Sequence, residues 1–400
     1  MATLFMNSTQ SDPAPRWQGE THYAYLERSS HPIAVVLRSK LEEWFASFPG
    51  GAKDEVAARI RSGNETNFES AFFELYLNAL LGGLGYTVEA HPEPSAAVTT
   101  RPDFLVKEQG VDVFYLEAAV ATELSTAERG NEQVRDTVLG AVNKMESPNF
   151  FLNVREHGRP TTVPSSRKLT KSLTRWLSTL NPDDAMGRLK QGGIQNLPPF
   201  KYQHEDWTVE FSAMPRSEKL RGQPGVPTLG MQHGSGFNLV ETADAVKTTL
   251  GNKTGKYGQL DLPYVVAVNA LAAFGDGFSI REALFGSEVF IVDDDDEDGG
   301  VLTRKQDGFF SVHDRNTRLS AALIVEGLHP TTIASTEPKL FHNPSASRPV
   351  DGRICLLSQG KLHEGRLEVI PGMLAREVLD IDADWLGLEA IFRSMQSPVK

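Results

Sequence analysis

A chain of 400 residues, 40% of them apolar, can bury one large core or two ordinary ones, so a folded globular protein is expected. Its 40 basic and 52 acidic side chains leave a formal charge of −12, which repels polyanions at long range and argues against a protein that simply coats nucleic acid. The single cysteine, Cys355, excludes an intrachain disulfide and a cysteine-based zinc site.

The stretch MATLFMNSTQSDPAPRW has neither the basic end nor the apolar run of a signal peptide, and no run elsewhere reaches membrane-spanning length. A cytoplasmic protein without a membrane partner is the expectation. Residues 1–17 read as a loose tail, and 18–64 as N-terminal helices, HPIAVVLRSKLEEWFASF and AKDEVAARIRS having helical spacing. From Glu65 to Leu84 a longer helix sets Phe68, Ala71, Phe72, Leu75, Tyr76, Ala79 and Leu80 on one side, and Gly82, Gly83 and Gly85 stop it.

YTVEAH, PDFLV and VFYLEAAV then read as three strands, the last two joined by the turn-like KEQGVD. NEQVRDTVLGAVNKM is helical, FFLNVRE a strand, SSRKLTKSLTRWLSTL a basic helix, DWTVEFSAM a strand, ETADAVKTTLGNK a helix and PYVVAVNAL a strongly apolar strand. The order predicts an α/β fold with a central mixed sheet flanked by helices and no internal repeat.

Past residue 276 the character changes to a mixed C-terminal appendage, 276–400, with VDDDDEDGG and KLFHNPSASRPVDGR loop-like around one good strand, LSAALIVEGL. The acidic run has none of the ligand order of a calcium loop and reads as a solvated loop. His233 and His313 have no partner at metal or triad spacing and read as loop histidines.

Asp103 stands directly before Phe-Leu-Val, and Glu117 directly after Val-Phe-Tyr-Leu. Both faces of these strands are apolar around the acids, as when helices cover a sheet, so each carboxylate must be paired or hold a cation. Their strands share a tight connection, so the two can stand side by side, where a divalent cation would remove their repulsion. The alternative is that each acid caps a strand end beside an arginine such as Arg101.

The helix FELYLNALLGGLGYTVE, a Pro-Asp-apolar strand and an apolar strand ending in glutamate together resemble the PD-(D/E)xK nuclease superfamily, of restriction-endonuclease-like fold. Glu74 stands eleven residues before Gly85, and Asp103 and Glu117 fall fourteen apart. The likeness is close over about residues 65–155 and implies a core over 65–275. The chain also resembles a group of bacterial proteins sharing RPDFLV, YLEA and KYGxLDxPYVVAVN segments. The resemblance implies catalytic Glu74, Asp103 and Glu117. Asp103, Glu117 and the Ala118 carbonyl would hold Mg²⁺ or Mn²⁺, with Glu74 supporting the metal through water.

The family's lysine position is Ala119 in this chain. In active members that lysine orients or deprotonates the attacking water and stabilises developing negative charge. Candidate substitute cations are Lys107, Arg135, Lys144, Lys253 and Lys256, with Gln133 a further support. Lys107 shares the strand face of Asp103, but four residues along a strand is about 13 Å.

Residues 151–260 carry fifteen Lys and Arg against nine Asp and Glu, a local +6 within a chain of −12. Arg167, Lys171 and Arg175 recur every four residues on one helix face, with Leu169, Leu173, Trp176, Leu177 and Leu180 apolar elsewhere. That face reads either as a phosphate-contacting surface for DNA or RNA or as an ordinary solvated one. The reading is therefore a metal-dependent nuclease of bacterial defence or nucleic-acid processing. The alternative is a catalytically inactive binding or assembly module, and a homo-oligomer fits either. No GxxxxGK[ST] or GxSxG motif supports a small-molecule enzyme.

Overall fold

The structure is a computed structural model that describes residues 3–387 except 7–9, 15, 18, 19, 94–99, 122–133, 135, 136, 143, 158–161, 193–195, 198, 217–220, 223–227, 229–238, 259, 272–277, 292–300, 312–314, 364 and 365. The acidic run, His233, His313, Gln133 and Arg135 lie outside the described residues. The chain divides into two compact units, one of residues 1–15, 21–123 and 238–400, the other of residues 16–20 and 124–237.

In the first unit four helices lead into the sheet: α1 (His22–Arg28), α2 (Pro32–Ser47), α3 (Lys53–Arg61) and α4 (Glu65–Gly83). Asn64 caps α4, its side chain accepting from the Asn67 amide, and the helix ends at Leu84 with Gly85 at φ +88°, a backbone that glycine adopts without strain. The apolar positions expected on α4 are buried except half-buried Ala79, and so are Phe73, Leu77 and Leu81 on its other sides. The helix is covered all round because it lies between the sheet and the helices before it. Full burial of one such Phe or Leu contributes about 1.5–3 kcal/mol.

The sheet has eight strands in the order β1-β2-β3-β7-β10-β11-β12-β13. These are β1 (Thr87–Ala90), β2 (Phe104–Glu108), β3 (Val111–Ala121), β7 (Tyr264–Ala270), β10 (Ala321–Glu326), β11 (Lys339–His342), β12 (Ser358–His363) and β13 (Arg366–Ile370). Between β7 and β10 in the chain, β8 (Glu288–Ile291) and β9 (Val301–Arg304) form a separate antiparallel pair. β1, β2 and β3 form an antiparallel meander, β3 pairs parallel with β7 and β7 parallel with β10, which makes the sheet mixed. The β2–β3 hairpin turns on Gln109 (φ +50°) and Gly110 (φ +82°), the two positive φ values that a tight hairpin with right-handed strand twist requires.

Strand alternation sends the two faces into different cores. Phe114 and Leu116 of β3, Val265 and Ala267 of β7, and Leu323 and Val325 of β10 pack with α1–α4. Tyr115, Val266, Val268, Ala322 and Ile324 pack on the other face with Val246 and Leu250 of the helix Leu239–Thr254 and Ile280 and Leu284 of the helix Phe278–Phe285. The fold is thus α/β, a large mixed central sheet with helices on its faces.

The second unit holds a three-stranded antiparallel sheet of β4 (Phe150–His157), β6 (Trp207–Pro215) and β5 (Pro199–His204), in that order. The helix Ser166–Leu177 buries Leu169, Leu173 and Leu177 in the core of this unit. Beside it in the chain is a helix of about three turns, Pro182–Gly192. In chain order the unit is inserted between β3 and the helix that leads into β7.

Three expectations are corrected. Leu4 and Phe5, in the segment read as a loose tail, are buried in the first unit's core, because two apolar residues there find a hydrophobic face and Phe5 stacks on Tyr23 at 5.8 Å. The boundary at residue 276 does not bound the sheet. β10–β13 extend it directly from β7, since β10 docks parallel to β7 along six residues. Within the stretch read as a loop, Lys339–His342 forms β11, which pairs with β10 and β12.

Candidate functional site

The site lies where β2 begins and β3 nears its end. Phe104 pairs with Leu116, so Asp103 falls beside Glu117 at the end of the β2–β3 register, and both follow the parity of Leu105 and Tyr115. They therefore share the face covered by the helix Leu239–Thr254. Asp103 Oδ2 accepts a hydrogen bond from the Ala118 amide at 2.7 Å, which ties the strand start to β3. A strand residue presents its N–H and C=O to the same side, so the Ala118 carbonyl faces the Asp103 edge.

Glu117 is fully buried, in register with Val266 of β7. A carboxylate at that depth must be matched. Lys253 Nζ donates to its Oε1 at 2.7 Å, Lys256 Nζ to the same oxygen at 3.0 Å, and the Tyr257 hydroxyl to Oε2. Tyr257 also lies 2.8 Å from the Arg101 carbonyl, an alternative acceptor for its single proton. Burial, with Glu117 beside it, pushes the Tyr257 phenol well above its usual range, so it serves as a donor to Glu117.

Asp103 is partly buried, and burial first, then the neighbouring Glu117 and Glu74 carboxylates, push it up to about 7. The Ala118 amide and Lys253 pull the other way. The three acids the sequence singled out are thus electrostatic neighbours, Asp103 feeling the charge of both others. Glu74, buried on α4, is held by Arg59 of α3 through two parallel bonds, Nη1 to Oε1 at 2.7 Å and Nη2 to Oε2 at 2.5 Å. Three carboxylates thus face Arg59, Lys253 and Lys256.

Among the candidate substitute cations, the fold brings Lys253 and Lys256 to Glu117. Lys107 does not arrive: it lies four residues along the strand from Asp103, about 13 Å, and pairs with Glu89 at 2.9 Å and Asp112 at 3.2 Å. Lys144 belongs to the other unit, where it is exposed. Arg101, weighed as a cap for Asp103, pairs with Glu93 instead. Arg167, Lys171 and Arg175 lie exposed along the helix Ser166–Leu177 of the second unit, opposite its buried leucines.

Two partners escaped the sequence reading. Arg59 stands fifteen residues before Glu74 on a different helix, and nothing local marks it. Tyr257 directly follows Lys256 in GNKTGKYG, and a lone aromatic beside two lysines before a buried strand was the available signal.

Metal fit divides by residue. Asp103 Oδ1 has no hydrogen-bond partner among the described residues, and with the Ala118 carbonyl it offers the hard oxygen donors that Mg²⁺ takes. Glu117 is the third donor, and Lys253 or Lys256 would have to swing off Oε1 to free it. Among the described residues, no group of three or more His, Cys, Asp or Glu side chains could hold a metal. Nor is any helix there long and apolar enough to cross a membrane. No family model, curated protein or solved structure matches the chain.

Proposed function

We propose that the chain is a metal-dependent nuclease whose first unit is a restriction-endonuclease-like core, acting on the phosphodiester bonds of DNA or RNA. The observation that carries the reading is the Lys253 ammonium on Glu117, 2.7 Å from Oε1, in a chain whose family lysine position is Ala119. A cation from the helix before β7 stands beside the carboxylate that the family pairs with lysine from its own strand. The helix, meander and parallel-strand order from α4 to β7 agrees with the same family.

In this reading Asp103, the Ala118 carbonyl and Glu117 hold Mg²⁺ or Mn²⁺. When bound, the metal supplies charge stabilisation at a phosphate oxygen and a lower pKa for the attacking water. Lys253 stabilises developing negative charge and orients that water. Tyr257 fixes the Glu117 carboxylate by donating to Oε2. Arg59 holds Glu74, and with it the negative potential that Asp103 feels. Arg167, Lys171 and Arg175 supply phosphate contacts on the second unit.

A specific observation favours a second reading. Every oxygen of Glu74 and Glu117 already has a cationic or hydroxyl partner, so the cluster is matched without metal, as in an inactive binding or assembly module. The deciding experiment is cleavage of single- and double-stranded DNA and RNA with Mg²⁺ or Mn²⁺, with metal binding followed by calorimetry. Asp103→Asn and Glu117→Gln keep shape and remove charge, and each should abolish cleavage while the far-ultraviolet spectrum is unchanged. Wild-type protein that binds neither ion and cuts none of these substrates sinks the nuclease reading and leaves the module.

A further inference from the structure

A cavity of about 240 Å³ opens in the first unit, immediately beside the Glu117 cluster. Tyr257 belongs to both: its hydroxyl donates to Glu117, and its side chain lines the cavity. Tyr264 is the second shared wall, with its hydroxyl 3.3 Å from the Lys253 carbonyl. Leu260 and Leu262 add apolar surface, and Arg318 and Arg348 stand exposed at the rim.

The two arginines are what need explaining. Among the described residues neither makes an ion pair; Arg348 donates only Nε, to the Leu260 carbonyl at 3.2 Å. That bond orients its guanidinium and leaves the terminal nitrogens open. The two rim segments are tied together from below. Ser347 N–H donates to the Thr317 carbonyl at 2.7 Å, and buried Asn343 donates to the carbonyls of Asn316 at 3.0 Å and Leu319 at 2.8 Å. Ser320 Oγ bonds the Arg348 carbonyl. Two forks thus stand at one opening with no acid paired to either among the described residues. Asp261, the nearest acid along the chain to Leu260, is engaged by Tyr115 at 3.4 Å, and Glu117 beneath is matched by its lysines.

A planar guanidinium binds phosphate oxygens in pairs, and two of them beside an aromatic and apolar wall suit a phosphate carrying a sugar and base. The volume is below that of a drug-sized pocket, which fits a single unit and excludes a duplex. We propose that this cavity is a subsite for one nucleotide, the phosphate on Arg318 and Arg348 and the nucleoside against Tyr257, Tyr264 and the leucines. It rests on the nuclease reading only for the identity of the longer strand to which that nucleotide belongs. Because Tyr257 touches both sites, occupancy would place the neighbouring phosphodiester of a strand at the Asp103–Glu117 edge.

Calorimetric titration of the full chain, without divalent metal, with thymidine 5′-monophosphate, uridine 5′-monophosphate and the two parent nucleosides tests it. Wild type should bind at least one monophosphate tenfold or more tighter than its nucleoside. The double variant Arg318→Gln/Arg348→Gln, altered at two exposed side chains, should lose that preference. Equal affinity for monophosphate and nucleoside in wild type, or a preference that survives in the double variant, overturns the subsite. Neither result depends on cleavage, so a failed nuclease assay leaves this one readable.

Discussion

Lys253 and Glu117 are 136 residues apart in the chain, yet Nζ lies 2.7 Å from Oε1 of a carboxylate with no exposed surface. The parallel pairing of β3 with β7 accounts for it: the helix that precedes β7 crosses the same face on which Glu117 projects. Lys256 shares the oxygen at 3.0 Å, so the buried charge has two cationic partners.

Removing one of them should be costly but survivable. Lys253→Met should lower stability in urea unfolding by about 1–3 kcal/mol, less than the loss of a sole partner because Lys256 remains. In a Glu117→Gln background the same change should cost much less, since the charge it served is gone. Equal costs in the two backgrounds would mean that the ion pair contributes nothing.

Among the described residues Arg59 is the one cation on buried Glu74, which it grips with both terminal nitrogens. Arg59→Met should destabilise by about 3–5 kcal/mol, the order expected when a buried carboxylate loses its partner. Adding Glu74→Gln should recover most of that loss. Thermal unfolding of the two variants measures both.

Asp103 is raised from 3.8 to about 7, so between those values the folded protein holds more protons than the unfolded chain. Its contribution to stability is full below about pH 4 and is lost as pH rises through about 7. Wild type should therefore lose stability relative to Asp103→Asn across that window, by an order of a few kcal/mol. Urea titrations of both proteins at a series of pH values check it. On the proposed metal-dependent reading, divalent-cation affinity should for the same reason climb through about pH 7, because only the ionised carboxylate can serve as a ligand.

Ala119 and Glu117 share a strand face, and Ala119 is buried. Lysine there would bring a third ammonium to a carboxylate that already has two, so Ala119→Lys should lower both activity and melting temperature. On the proposed nuclease reading, combining it with Lys253→Met should regain activity, the cation then coming from β3. Rates of the three variants on one cleavable substrate make the comparison. Higher activity in the single variant would mean that Lys253 does not stand in for the missing lysine.

On the proposed nuclease reading, replacing Arg167, Lys171 and Arg175 of the second unit by Gln should weaken nucleic-acid binding and flatten its dependence on salt, because fewer counterions are released. Fluorescence-anisotropy titrations over a salt series give the slope. An unchanged slope would class this helix face as merely solvated.

The elements whose signal is local were legible from the sequence. Phe68 to Leu80 at helical spacing specified α4, Gln109-Gly110 between two apolar runs specified the β2–β3 hairpin, and apolar runs specified β7 and β10. Asp103 and Glu117 announced themselves as charges where burial forbids unmatched ones. What matched them did not, because local spacing in the chain carries no record of which distant element lies on which face of a sheet. Sheet pairing decided between Lys253, Lys256 and Lys107, and it also drew β11–β13 into the sheet, short strands whose mixed composition hides them until β10 supplies an edge to pair with. Arg59 and Tyr257 came to the acids the same way, since a buried carboxylate selects its partners by proximity in space, and only the tertiary structure determines that proximity.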